Sequence, residues 1–210
     1  MKNIIFIGGR ANTKIAAEII KSQEEVNLHY YSDREFEPAE FIDEGFSIIE
    51  NIELAYEAIE AGFEYFVGIG GNKLRQEVSQ NMLAKTNHNP INIISKSAQI
   101  SPGVIVGSGN LMMHQSLINL NSTVGCGNIF NTKSLIEHDC QIGSFNHIAP
   151  ASTVLGYASI GDLCEIYTSS VIFPYKTISS NVTIGANSTV TQDILVSGKY
   201  FGSPAKIRNS

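Results

Sequence analysis

The chain has 210 residues and a formal charge of −6, enough for two small domains or one elongated one. The acidic balance excludes non-specific nucleic-acid binding, which needs a basic surface. No apolar run approaches the ~18 residues of a membrane span, and the brief apolar run after Met1 is too short for a secretion signal.

Residues 1–88 alternate between two periodicities. Residues 2–7 read as a strand closed by Gly8-Gly9, and residues 13–22 as a helix with Ile15, Ala16, Ile19 and Ile20 on one face. Residues 26–31 are a second strand ending at Ser32-Asp33. Residues 48–61 carry helical spacing, residues 65–69 a third strand closed by Gly70-Gly71-Asn72, and residues 74–83 a helix. Strands alternating with helices predict a small α/β, Rossmann-like lobe over 1–88. Asn87-His88-Asn89-Pro90 is a turn-rich link.

From residue 94 the period changes to six. Ile94, Ile100, Val106, Met112, Ile118, Val124, Phe130, Ile136, Ile142, Ile148, Val154, Ile160, Ile166, Ile172, Ile178, Ile184 and Val190 follow without a miss. Neither the 3.6 of an α-helix nor the 2 of a half-buried strand fits. A parallel β-helix of hexapeptide repeats does: each hexad is one short strand and a corner. Three hexads close a coil, so residues 18 apart stack at about 4.8 Å, the inter-strand spacing. Four residues after each apolar position stand mostly small residues, among them Ala98, Ser116, Ser134, Cys140, Ser152, Cys164 and Ser170, as a narrow prism requires. The corners carry many Gly, Asn, Asp and Ser, which tolerate left-handed conformations. Lys176 breaks the small register after Phe173-Pro174, where an irregular corner is expected. The register is expected to end after Val190, leaving a short tail within a β-helix domain of about five coils over 89–210. Flat solenoid faces ask for cover, and hexapeptide prisms pack in threes, so a homotrimer is expected. The cysteine count is odd. Cys140 and Cys164 fall in the small register and Cys126 is the third, which predicts free thiols in a reducing cytoplasm.

Asn131-Thr132-Lys133-Ser134-Leu135-Ile136-Glu137-His138-Asp139-Cys140-Gln141-Ile142-Gly143, continued by Phe145-Asn146-His147-Ile148-Ala149-Pro150, resembles the active-site segment of the bacterial sugar O- and N-acetyltransferases. The tail Phe201-Gly202-Ser203-Pro204-Ala205-Lys206 and the loop from Val67 to Arg75 are similar to other segments of that family. The resemblance implies a small nucleotide-binding lobe joined to a left-handed β-helix. It also implies acetyl-CoA as co-substrate, a nucleotide-linked amino sugar as acceptor, and a role in surface-polysaccharide synthesis in the cytoplasm, without a metal. It implies His138 as general base, a task that suits imidazole because its ordinary pKa lies near 6.5. Asp139 would orient the ring.

The resemblance further assigns His147, Gly156, Tyr167, Ser203, Pro204, Ala205 and Lys206 to acetyl-CoA, Tyr167 replacing a common glycine of the coenzyme channel. It assigns Asn131 to the acceptor sugar. Spacing adds that Gly156 stacks one coil beyond His138, where its N–H could meet a thioester oxygen. His147, half a coil from His138, points off another side and could join the same site only across a subunit boundary. In the lobe, Gly8, Arg10, Asp33, Gly70, Gly71 and Asn72 stand at strand ends, where α/β ligands gather, although the family's Gly-x-x-Gly-His-Gly loop survives only as Gly8. The expected reaction is N-acetylation of a nucleotide-linked 4-amino-4,6-dideoxy sugar. O-acetylation of a sialic acid or another surface sugar is the alternative, and a non-enzymatic solenoid a third. A zinc site built from His114, His138 and His147 is not expected from their spacing.

Overall fold

The computed structural model describes residues 1–33 and 38–208, the side chains of 38–40 excepted. The chain divides into two units, Met1–Ile93 and Ile94–Ser210. The turn-rich link belongs to the first unit, because the Tyr65 hydroxyl donates to the His88 carbonyl at 2.7 Å and the Ile91 N–H to the Tyr65 carbonyl at 2.9 Å.

The lobe runs β1 (Lys2–Ile7), α1 (Ala11–Lys21), β2 (Val26–Tyr31), α2 (Pro38–Asp43), β3 (Phe46–Ile48), α3 (Ile52–Glu60), β4 (Glu64–Val67) and α4 (Asn72–Thr86). Its strands pair in parallel in the order β3-β2-β1-β4. Such a sheet is covered on both faces, and alternation in β1 supplies both. Ile5 and Ile7 cluster with Ala55, Ile59, Tyr65, Val67 and Met82. Phe6 meets the edges of Phe46 and Phe66. Two short elements differ from the sequence expectation. The strand β3 has three residues, too few to show alternation, and only its last, Ile48, falls in the region read as helix. The helix α3 starts only at Ile52, where the Asn51 side chain accepts from the Leu54 N–H at 3.0 Å. The strand order reverses beside β1, so the carboxyl ends of β1 and β4 form the point where such sheets bind ligands.

The second unit is a left-handed β-helix of two-residue strands. Leu135 pairs with Leu117 on one coil and with Thr153 on the next, each 18 residues away. The sixfold series points inward: Ile118, Ile136, Val154 and Ile172 are fully buried. Burial of each isoleucine side chain contributes about 1.5–3 kcal/mol. The corner at Phe173-Pro174 is regular, correcting the expected irregularity. Tyr175 has φ 61° like its counterparts, and the Lys176 carbonyl accepts from the Ser159 N–H at 2.8 Å. Pro174 fits because it precedes the left-handed residue, as Pro150 does. The coil also continues past Val190: Gly198–Phe201 pairs in parallel with Val182–Ile184, and Lys206–Ile207 folds back antiparallel. The residues between shift the spacing away from six, which hid the strand.

Left-handed backbone recurs at every sixth residue, and bulky residues occupy it: Phe145, Tyr157, Leu163 and Tyr175 have φ between 57° and 62°. Each such conformation is unfavourable by roughly 1–2 kcal/mol outside glycine. The coil below compensates. The N–H of Phe145 donates to Cys126 O (2.8 Å), Tyr157 to His138 O (3.1 Å), Leu163 to Ser144 O (3.0 Å) and Tyr175 to Gly156 O (3.1 Å). Three members of the small register are asparagines and form a buried ladder. The Asn110 Oδ1 accepts from Asn128 N (2.8 Å) and Nδ2 (3.0 Å), Asn128 Oδ1 from Asn146 N (2.8 Å), and Asn146 Oδ1 from Cys164 N (2.7 Å).

Candidate active site

The strands Leu135–Ile136 and Gln141–Ile142 lie on two different faces of the prism, and His138-Asp139 forms the corner between them. The left-handed conformation of Asp139, φ 58°, turns its carboxylate back along the chain. The His138 Nδ1 and Asp139 Oδ2 lie 2.8 Å apart. The hydrogen bond from His138 is the main cause holding Asp139 below the usual carboxylate range, helped by donors on Asn121, whose Nδ2 is 3.3 Å from Oδ1, and on Tyr157. An anionic Asp139 accepts, so the network places the imidazole proton on Nδ1 and leaves the Nε2 lone pair free. The Nε2 has no hydrogen-bond partner among the described residues. The His138 side chain is 44% exposed, so a substrate can reach it.

Gly156 stacks one coil beyond His138. A Cβ there would lie 2.9 Å from His138 Cε1 and 3.0 Å from Nε2, so the imidazole rests where any side chain would stand. Its flanking residues are tied back to neighbouring coils through Leu155 N–H to Ile172 O and Tyr157 N–H to His138 O, whereas the Gly156 N–H donates to none of the described residues. Tyr157 presents its ring edge-to-face with His138, centroids 5.3 Å apart at 89°, and stacks on Tyr175 at 4.8 Å and 2°. Neither tyrosine was singled out in the sequence. The signal was there: 121, 139, 157 and 175 are successive members of one corner.

Asn131 and His147 form a separate pair, Nδ2 to Nε2 3.3 Å, on the sheet carrying Ile129–Phe130 and His147–Ile148, away from the His138 corner. Further along that sheet Tyr167 donates to Glu165 Oε2 at 3.3 Å. The two residues line a cavity of about 300 Å³ with Thr183, Gly185, Lys199 and Phe201. Ser203, Pro204 and Lys206 are exposed. The tail is anchored by Ala205 N–H to Thr189 O at 2.8 Å and Gly202 N–H to Ser188 Oγ at 3.0 Å. Among the described residues, no three His, Cys, Asp or Glu side chains are grouped to hold a metal. Among the described residues, no helix is long and apolar enough to cross a membrane.

In the lobe, Gly8 and Asp33 line a cavity of about 230 Å³ with Ile7, Tyr31, Tyr56 and Ile69, at the carboxyl ends of β1, β2 and β4. Gly9 has φ 70°, and a Cβ there would lie 2.0 Å from the Gly68 carbonyl oxygen, so only glycine lets the two strand ends approach. Arg10 is exposed at the start of α1, Gly70 and Gly71 at the start of α4. The Asn72 side chain is turned inward: its Oδ1 accepts from Arg75 Nη2 at 2.8 Å. Arg75 Nη1 in turn binds the carbonyls of Ile69 (2.9 Å) and Gly70 (2.7 Å). Arg75 is 1% exposed and braces the loop, a role the sequence did not announce.

Residues 3–82 match the PglD N-terminal domain family. No curated protein matches the chain. Among solved structures, PerB from Caulobacter crescentus in complex with CoA and GDP-perosamine is 28% identical. The match covers 100% of this chain and 98% of that one, with a TM-score of 0.87. The acetyltransferase domain of PglB from Neisseria gonorrhoeae, in complex with acetyl coenzyme A, is 26% identical over 99% of each chain, with a TM-score of 0.89. WeeI from Acinetobacter baumannii, 20% identical over 99% of this chain and 100% of that one at a TM-score of 0.80, shares the fold. With a lobe that matches the PglD N-terminal domain over residues 3–82 and a hexapeptide β-helix following it in sequence, the chain is similar along its whole length to bacterial sugar N-acetyltransferases.

Proposed function

We propose that the protein transfers the acetyl group of acetyl-CoA to the amino group of a nucleotide-linked 4-amino-4,6-dideoxy sugar, with His138 as general base. The observation that carries this reading is the His138–Asp139 pair, 2.8 Å apart, with Nε2 open beside Gly156. The acceptor amine attacks the thioester carbonyl. Nε2 takes the amine proton as the C–N bond forms, and Asp139 balances the positive charge that develops on the ring. The oxyanion is met by the Gly156 N–H, and collapse expels the CoA thiolate, which takes up a proton. The likeness to an enzyme holding CoA and GDP-perosamine favours an amine over a hydroxyl acceptor.

In this reading the cavity beside Asp33 receives the nucleotide, with Gly8, Arg10, Gly70 and Gly71 around it. Asn72 shapes the loop through Arg75. Asn131 serves the acceptor sugar. His147, Tyr167 and the segment Ser203-Pro204-Ala205-Lys206 serve the coenzyme, which lies between neighbouring β-helices of a homotrimer in the cytoplasm. Replacement of His138 by Ala is expected to lower kcat by about 10²–10⁴-fold and to leave the thermal transition in place, because the side chain is half exposed. The assay follows acetylated product by mass spectrometry with acetyl-CoA and a panel of GDP-, UDP- and dTDP-amino sugars. Turnover within a few-fold of wild type would remove the base assignment.

A further inference from the structure

The corner positions 121, 139, 157 and 175 stack on one another, and they carry Asn, Asp, Tyr and Tyr. All but the last act on the catalytic pair. Asn121 donates to one oxygen of Asp139, and His138 to the other. From the coil above, Tyr157 addresses both members at once. Its ring edge meets the imidazole at 89°, and its phenol helps, after His138 and Asn121, to hold Asp139 below the usual carboxylate range. The carboxylate's charge is in turn the main reason the Tyr157 phenol is held above its ordinary pKa. Tyr175 lies flat on Tyr157 at 4.8 Å and 2°, the spacing of successive coils, and keeps that ring from swinging into solvent. Offset-stacked and edge-to-face contacts are the favoured aromatic geometries, and this column uses one of each.

We propose that Tyr157, held in place by Tyr175, is a positioning residue for the acetyl transfer: it fixes the plane of the His138 ring. This rests on His138 being the base. Edge contact from Tyr157 and the close approach of Gly156 confine the imidazole, and the contact with Asp139 holds its Nδ1. The role belongs to the aromatic ring, so a phenylalanine at this position keeps it and an aliphatic side chain does not.

Two substitutions separate ring from hydroxyl. Tyr157→Phe keeps the ring, and kcat and KM for both substrates are expected within about twofold of wild type. Tyr157→Leu removes the edge contact, and kcat is expected to fall on the order of tenfold with KM nearly unchanged, the usual scale for a residue that orients a reacting group. Tyr157→Leu with wild-type kcat overturns the proposal, and so does a Phe variant as slow as the Leu one. If the Leu variant fails to fold, Tyr175→Leu decides: it leaves the Tyr157 ring unsupported, and wild-type kcat there overturns the proposal. His138→Ala is measured alongside: if it remains active the base assignment itself is lost, and if it is inactive while both Tyr157 variants match wild type, only the positioning role is.

Discussion

Gly156→Ala tests the site with one carbon atom. Gly156 does not sit in the left-handed region, so alanine can adopt its backbone. The obstacle is the His138 ring. The new Cβ would stand 2.9 Å from Cε1, 3.0 Å from Nε2 and 3.4 Å from Nδ1, whereas carbon contacts are comfortable at about 3.5–4.0 Å. The backbone of a stacked coil cannot retreat, so the ring must move outward by roughly 0.5–1 Å. The ring is 44% exposed and can do so without unpacking the core, which keeps the stability cost toward or below the roughly 1–3 kcal/mol of a buried overpacking. Catalysis has no such freedom. A displacement of about 1 Å in a positioned group costs on the order of 10²-fold, and the outward swing also stretches the Nδ1–Oδ2 contact of 2.8 Å. We expect kcat to drop by about 10–100-fold, with KM for both substrates and the melting transition nearly unchanged. Product formation by mass spectrometry, paired with a calorimetric scan, reads both. An alanine variant with wild-type kcat would show that the ring's resting place over Gly156 has no part in turnover.

Other predictions concern the scaffold and the lobe. Asn128→Ala removes the acceptor of the Asn146 N–H and a donor to Asn110, all fully enclosed, and should cost about 2–4 kcal/mol in chemical denaturation; a change below 0.5 kcal/mol would dismiss the ladder as a stabilising element. Burial pushes the Cys140 and Cys164 thiols up to about 11. At pH 8 iodoacetamide should therefore spare both in the native protein and label them after unfolding, as mapped by peptide mass spectrometry. The folded pKa of each thiol is raised, so each contributes stability that is full below the ordinary thiol pKa and is lost as pH rises toward 11. Asp33→Ala should raise KM for the nucleotide sugar about tenfold or more and leave KM for acetyl-CoA nearly unchanged, since the cavity that Asp33 lines lies within the lobe; equal changes in both would detach the nucleotide from that cavity.

Much of this was legible in one dimension because a solenoid is nearly one-dimensional. A strict six-residue repeat fixes which side chain points inward, and stacking at 18 places Gly156 over His138 with no further information. The lobe's first two strands and main helices show the same directness, since their periodicities are long enough to read. Elements of three residues, such as Phe46–Ile48, and a strand reached after an insertion, such as Gly198–Phe201, leave no periodic trace. What only the tertiary structure decided are contacts that depend on side-chain direction. The Asn72 amide turns into the lobe to hold Arg75, Asn110, Asn128 and Asn146 bond end to end inside the prism, and Tyr157 leans across from one coil to face His138 and Asp139 on another. A repeat says which residues stack. Which way each side chain then turns is set by its neighbours' shapes and by the hydrogen bonds left to satisfy, and these exist only once the coils are in register.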